Sequence, residues 1–440
     1  MRLRRVRHAL FARSPPALEP DRKRLAPRSS HGRQFLRGLA RHWKLVLGVA
    51  LLVSLEQLAH VWSFVVPRPR TSLDPPFHVG CQEPVLNTST RARAAFVMLA
   101  RNSDVVGAEA SVRSVQDQFN RHFGYPWVFF NDKPWSDDFV ARLGRVVSEG
   151  GAEATFETIP AYMWGYPSWI NQTRARQSMS DMERRGILYG GEESYHHMCR
   201  FNSGFFFDHP ALQQYKWYWR VEPDIEFTCA ITYDPFVEME RHDKRYGYVI
   251  ALWELGKTVP SLFRELSEYK ARHRIATTSL WTALMDPSYL PWPLRRLLWW
   301  APGRDGRGDL WNMCHFWSNF EIADLDFFRS PQYRDIFHFL DENGGFYYER
   351  WGDAPVHSLA AAMLLRPHQV HHFADFGYVH ETFQYCPYAP TARELKRGEL
   401  VPNMRGQYLG HEDLGCKCKC NPAIKMIGPT CFNRIRRTVM

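Results

Sequence analysis

The sequence predicts an α/β fold, a central sheet flanked by helices, preceded by a single transmembrane helix. Three observations predict it. Residues 45–66 form a mostly apolar run long enough to cross a bilayer. Residues 94–100 and 125–130 are short apolar runs, and residues 104–123 between them carry apolar side chains at helical spacing. Strand, helix and strand in so short a stretch read as a βαβ unit with parallel strands. Two further apolar runs, 217–221 and 246–252, read as strands that end in acidic residues, Glu222-Pro-Asp224 and Glu254.

Taken from the N-terminus, residues 1–44 are a basic tail without an apolar period, read as disordered. The tail carries 13 Lys and Arg against Glu19 and Asp21, a net of +11, whereas the remainder nets −1. The +10 of the whole chain is therefore no sign of nucleic-acid binding. A mean hydropathy of −0.41 excludes a polytopic membrane protein. As a helix, residues 45–66 span about 33 Å, against a bilayer core of about 30 Å. Arg37, Arg41 and Lys44 before it place the tail in the cytosol and the body in the lumen. Glu56, Gln57 and His60 interrupt the run and share one helical face, where they are expected to meet a partner helix. Residues 67–92 hold five prolines and read as a stem, leaving 93–440 as the lumenal domain.

All nine cysteines follow the anchor, as a disulfide-permitting compartment allows. Cys416-x-Cys418-x-Cys420 lacks zinc-knuckle spacing, so a disulfide-tied tail is expected, with at least one cysteine left over. Asn87 and Asn171 head glycosylation sequons, in keeping with a lumenal body. In open parallel sheets ligands bind at the carboxyl ends of the strands. Here those ends carry Arg101 and Asn131-Asp132. No glycine-rich phosphate loop is present, so phosphate must be neutralised by other means.

A carboxylate pair after an apolar strand suits a hard divalent ion, which in turn grips a diphosphate leaving group. By itself Glu222-x-Asp224 would be a solvated turn. Its neighbours change that reading. Ser194-Tyr-His-His-Met-Cys-Arg-Phe-Asn-Ser-Gly-Phe-Phe-Phe207, Tyr218-Trp-Arg-Val-Glu-Pro-Asp224, Cys314-His-Phe-Trp-Ser-Asn-Phe-Glu-Ile-Ala-Asp324 and Gly344-Gly-Phe-Tyr-Tyr-Glu-Arg-Trp-Gly-Asp-Ala-Pro-Val-His357 follow in order. Together they resemble the fungal Golgi α-1,2-mannosyltransferases of glycosyltransferase family 15, from about residue 93 to about residue 387.

The resemblance implies a GT-A-like nucleotide-sugar-binding fold with a mixed central sheet flanked by helices, GDP-mannose as donor, Mn²⁺ as ion and transfer with retention. It also implies a single-pass type II Golgi membrane protein with its catalytic domain in the lumen. Glu222 and His380 match the metal-binding residues, although the family often has two histidines where this chain has Val379-His380. Glu321 matches the acid given as nucleophile and Tyr195 a tyrosine at the reacting centre. Arg101, Glu254, Trp317 and Asp353 fall at positions associated with donor binding. Retention requires either two displacements or a front-face route, and both favour a carboxylate beneath the anomeric carbon. Outside these strings, Glu321 would read as a structural ion pair and His380 as a packed histidine. Residues 287–309, with Trp292, Trp299, Trp300 and several arginines, depart from the family pattern. They read as a packed insertion, or as a lid or acceptor contact. The expected reaction is mannosyl transfer from GDP-mannose to a 2-hydroxyl of a mannosylated glycan or glycoprotein. The competing readings are mannosylphosphate or other-linkage transfer, and an inactive glycan-binding subunit.

Overall fold

The computed structural model describes residues 42–65, 74–84, 91–387, 414–428 and 430–439. Most of the basic tail and the sequon at Asn87 lie outside them. The chain divides into two units, Met1–Leu55 and Glu56–Met440. Helix α1 runs over Trp43–Trp62 and its residues as far as Leu55 are exposed. Among the described residues it is the one helix long and apolar enough to cross a membrane. It stops at Trp62, short of the expected end at Val66, which lies outside the described residues.

In the second unit the main sheet has seven strands: β1 (Ala94–Leu99), β2 (Trp127–Asn131), β3 (Ala154–Thr158), β4 (Trp217–Val221), β5 (Tyr246–Tyr248), β6 (Phe320–Asp324) and β7 (Val370–His372). Their spatial order is β7-β5-β6-β4-β1-β2-β3. β6 runs antiparallel to both its neighbours, and the other pairs are parallel, so the sheet is mixed as expected. The apolar runs became strands because both sheet faces are covered: β1, β2 and β4 are almost wholly buried.

Helix α2 (Val105–Val115) crosses from β1 to β2 and buries Gly107, Ala108, Ser111, Val112 and Val115. A π turn over Gln116–Asn120 follows, and Gly124, at φ 61°, turns the chain toward β2. The run 246–252, expected as one strand, is divided. Tyr246–Tyr248 stays in the main sheet, while Ala251–Trp253 pairs with Cys314–Phe316 in a separate ribbon. The break comes from a change of partner: the Tyr248 carbonyl accepts from Phe373 N–H and the Ile250 carbonyl from Trp317 N–H. An apolar run cannot reveal such a switch.

Residues 74–84, expected in the stem, belong to the folded body. Asp74 Oδ2 accepts from the His372 backbone N–H at 2.9 Å, and Phe77 stacks on His371 at 3.8 Å. Disulfides Cys81–Cys416, Cys229–Cys418, Cys314–Cys431 and Cys386–Cys420 tie the C-terminal tail to this body, leaving Cys199 free and buried. Glu56, Gln57 and His60 do not meet a partner helix. Glu56 pairs with Arg295, Gln57 Nε2 donates to the Ser288 carbonyl at 2.8 Å, and His60 Nε2 lies 2.8 Å from Asp309 Oδ1.

Candidate active site

At the carboxyl ends of β1, β2 and β4 lies a cavity of about 560 Å³. Its walls include Arg101, Asn131, Asp132, Ser194, Tyr195 and Glu222. Arg101 follows β1, Asn131 ends β2, Glu222 follows β4, and Ser194 and Tyr195 open helix α3 (Glu193–Gly204). Arg101 Nη2 donates to Ser194 Oγ at 3.1 Å, which leaves an exposed guanidinium at the rim. The volume suits a nucleotide sugar.

Glu222 and Asp224 do not act as a pair. Asp224 takes φ 61° and folds back on α2, where a Cβ at Gly107 would lie 2.3 Å from Asp224 Oδ1. The bare Cα of Gly107 leaves room for the Asp224 carboxyl in this position. Glu222 remains at the cavity, and both its contacts with Arg220 fall on Oε1, at 2.7 Å from Nε and 2.6 Å from Nη2. Oε2 carries no hydrogen bond among the described residues. Burial pushes the Glu222 carboxyl up, and Arg220 draws it back. On its other side Arg220 pairs with Asp353, at the start of helix α4 (Asp353–Leu364), and Ser318 Oγ donates to Asp353 Oδ2 at 2.7 Å. Burial raises Asp353, but Arg220, His357 and Ser318 together hold it below the usual carboxylate range. Asp353 thus braces the arginine that holds Glu222 and does not line the cavity.

His380 ends the short strand Tyr378–His380, opposite Ile225, three residues beyond Glu222. Burial and the nearby Arg220 charge lower its pKa to about 4, so the imidazole is neutral near pH 7 and has a lone pair to give. Its Nδ1 lies 2.9 Å from the Asn319 amide, whose Oδ1 is buried without a partner. Turning that amide over lets Oδ1 accept from Nδ1–H and leaves Nε2 as the free acceptor, the arrangement a metal-binding histidine needs. Among the described residues no three His, Cys, Asp or Glu converge on one point. Glu222 Oε2 and, with the amide turned, His380 Nε2 are left as acceptors, but His380 is not in the cavity wall that Glu222 borders.

Tyr195 and Glu254 are joined by a residue the sequence did not single out. Arg350 Nη1 donates to the Tyr195 hydroxyl at 3.1 Å, and Nη2 lies 3.4 Å from Glu254 Oε1. Burial pushes the Tyr195 hydroxyl far up, so it stays protonated. Glu254 also accepts from the Leu255 N–H at 2.7 Å and does not reach the cavity. Trp317 sits edge-on to His380 at 5.0 Å, also outside the cavity.

Glu321 lies on β6, in register with Arg220 on β4, and is fully buried. Its Oε1 accepts from Tyr246 at 2.9 Å and from His357 Nδ1 at 2.8 Å, and Tyr218 donates to Oε2. His357 Nε2 faces the Asn202 carbonyl at 3.0 Å. The carboxylate is held firmly and is not in the cavity wall. Tyr218, Arg220, His357 and Arg350 all lie inside the quoted strings, yet nothing in residue type told them from packed core. The only hint was an arginine standing in the apolar strand Trp217–Val221.

The family model described as "Glycolipid 2-alpha-mannosyltransferase" matches residues 71–419. The "O-glycoside alpha-1,2-mannosyltransferase homolog 4" of Schizosaccharomyces pombe is 42% identical over 81% of this chain and 80% of its own length. The "Glycolipid 2-alpha-mannosyltransferase" of Saccharomyces cerevisiae is 42% identical over 68% of this chain and 63% of its own. Among solved structures, Core-mannan synthase A of Aspergillus fumigatus, in an Mn/GDP form, is 34% identical with a TM-score of 0.66, over 86% of this chain and 93% of its own. The mannosyltransferase Ktr4p of S. cerevisiae, in complex with GDP, is 32% identical with a TM-score of 0.63, over 78% and 83%. A mixed sheet that presents Arg101 and Glu222 to one cavity at its strand ends, together with these likenesses, makes the chain a glycosyltransferase that belongs to the glycolipid 2-α-mannosyltransferase family, glycosyltransferase family 15.

Proposed function

We propose that this chain is a single-pass Golgi membrane enzyme that moves mannose, with retention, from GDP-mannose to the 2-hydroxyl of a mannosylated acceptor. The observation that carries the proposal is Glu222 fixed by the Arg220–Asp353 pair at the end of β4, in the wall of the cavity that Arg101 and Tyr195 share. Glu222 and His380 would hold Mn²⁺. That ion supplies charge neutralisation for the diphosphate when bound. Arg101 lies at the same rim and offers a guanidinium to phosphate oxygens. In the transfer, the bond from the anomeric carbon to the phosphate oxygen breaks and its electron pair leaves with GDP. The acceptor 2-oxygen forms the new bond to that carbon, and its proton passes to the departing diphosphate. Positive charge on the sugar is favoured by the buried negative charge of Glu321, held by Tyr218, Tyr246 and His357. Tyr195, kept protonated and fixed by Arg350, offers a hydroxyl to the sugar or acceptor.

The test is turnover of GDP-mannose by the full chain with a mannoside acceptor, with and without Mn²⁺, followed by linkage analysis of the product. An α-1,2-linked product formed only with the ion supports the reading. A mannosylphosphate or another linkage would refute the assigned reaction. Binding of mannosides without turnover would point to an inactive glycan-binding subunit.

A further inference from the structure

Residues 287–309 do not border the cavity at the strand ends. They expose an apolar surface built from Tyr289, Trp292, Leu294, Leu297, Trp299 and Trp300, with Tyr289 82% and Trp300 65% exposed. Six large apolar side chains left open within one short segment mark it as a candidate contact surface. Arg295, in the short helical turn Leu294–Leu298, is turned the other way and is buried against Glu56.

A cavity of about 810 Å³ adjoins the same segment, with Trp292 in its wall. Lys270, Arg274, Arg295, Arg296 and Arg307 line it, against Asp305 and Asp309. Both acids are committed. Asp309 Oδ1 accepts from the Ser288 N–H at 2.9 Å and contacts His60, while Asp305 Oδ1 accepts from the Arg307 and Asp309 N–H groups at 2.9 Å. Arg274, Arg296 and Arg307 carry no ion pair among the described residues. Ser267 Oγ lines the same cavity, buried and without a partner. The site thus has cationic donors in excess and a hydroxyl left over, as an anion would require.

We propose that residues 287–309 and this cavity seat the body on an anionic phospholipid surface, the aromatic side chains entering the interface and a lipid phosphate entering the cavity. Three features select a bilayer over other occupants. Trp and Tyr beside Leu and Arg is the composition of a membrane interface. The unpaired arginines of the cavity complement a lipid phosphate. The third is continuity. Glu56, Gln57 and His60, the polar interruption of the anchor run, bond to Arg295, Ser288 and Asp309 of this segment, and His60, Ser63 and Phe64 line its cavity. Those residues directly follow the apolar stretch that ends at Leu55. The last turns of the helix then serve as a clamp for the lipid-facing segment.

The experiment places the full chain in nanodiscs of phosphatidylcholine with or without phosphatidylserine. A nitroxide at Trp299→Cys should be shielded from a water-soluble relaxation agent and open to oxygen in the anionic discs. The same label at exposed Tyr162→Cys should remain water-accessible. Hydrogen exchange over 287–309 in the unaltered chain gives the same information should Trp299→Cys fail to fold. Arg274→Gln, Arg296→Gln and Arg307→Gln together should lower the lipid-dependent protection by roughly 100-fold, at about fivefold per basic residue. Water accessibility at 299 equal to that at 162 would overturn the proposal. So would protection that inorganic phosphate reproduces in neutral discs, that a soluble mannoside produces, or that rises with protein concentration as a second copy would require. None of these readouts depends on catalysis.

Discussion

Glu321→Gln separates catalysis from architecture most sharply. The carboxylate receives three donors, Tyr218, Tyr246 and His357, in a fully buried place. Glutamine keeps the shape and loses the charge. If its oxygen keeps Tyr246 and His357, its amide nitrogen faces Tyr218, whose proton then lacks an acceptor. Replacing a buried charged hydrogen bond costs about 1.5–3 kcal/mol, so Tm should fall by several degrees. The transition state should suffer more. Removal of one stabilising group costs about 10²–10³ in kcat, about 2.7–4 kcal/mol, while affinity for GDP-mannose holds. Tyr246→Phe is the control, because it removes one donor and leaves the charge. It should cost similar stability and less than about tenfold in kcat. The assay is steady-state mannosyl transfer beside a thermal melt of each variant. A stable Glu321→Gln with near-normal turnover, or a Tyr246→Phe as slow as Glu321→Gln, would make Glu321 structural. Glu254 and Asp353 would then be tested in its place.

Three further outcomes are expected. Glu222→Ala should make GDP binding insensitive to Mn²⁺ by calorimetry, and His380→Ala should do so more weakly, since water can replace imidazole; an unchanged metal dependence in both would remove the site. Asp74→Asn should destabilise the body by about 3–5 kcal/mol in chemical denaturation, because it removes the charge that Lys244 and His371 approach at 3.6 and 2.5 Å. His371 and Lys244 hold Asp74 down at about 2 despite its burial, below the 3.8 of a free carboxyl, so its contribution is present above pH 4 and lost as pH falls toward 2. Asp375 has the opposite sign. Burial pushes it up to about 7, so its contribution is full below 3.8 and lost as pH rises through 7, and Asp375→Asn should flatten the Tm profile between those values.

The catalytic strings were legible because each couples an apolar strand to a polar residue at its end, and that juxtaposition survives folding unchanged. Glu222 after β4, Arg101 after β1 and Asn131 at the end of β2 all reached one cavity for this reason. The same logic misread Asp224, since whether the second acid of a triplet points inward depends on a turn that packs on Gly107. It could not foresee that Arg350 joins Tyr195 to Glu254, or that Asp353 acts through Arg220, because these partners are distant in the chain and meet only when the sheet is assembled.

By itself the sequence determined what local pattern determines: an apolar run of bilayer length, the βαβ opening, and a cysteine-rich tail destined for disulfides. Only the tertiary structure decided which cysteines pair, and that residues 74–84 belong to the body. It alone decided where the run 246–252 changes sheets, and that Glu56, Gln57 and His60 answer Arg295, Ser288 and Asp309. The physical reason is range. Period and composition report the environment of a residue along its own strand or helix. The charge of a buried acid and the partner of a stray polar group are set by whatever segment folding brings alongside.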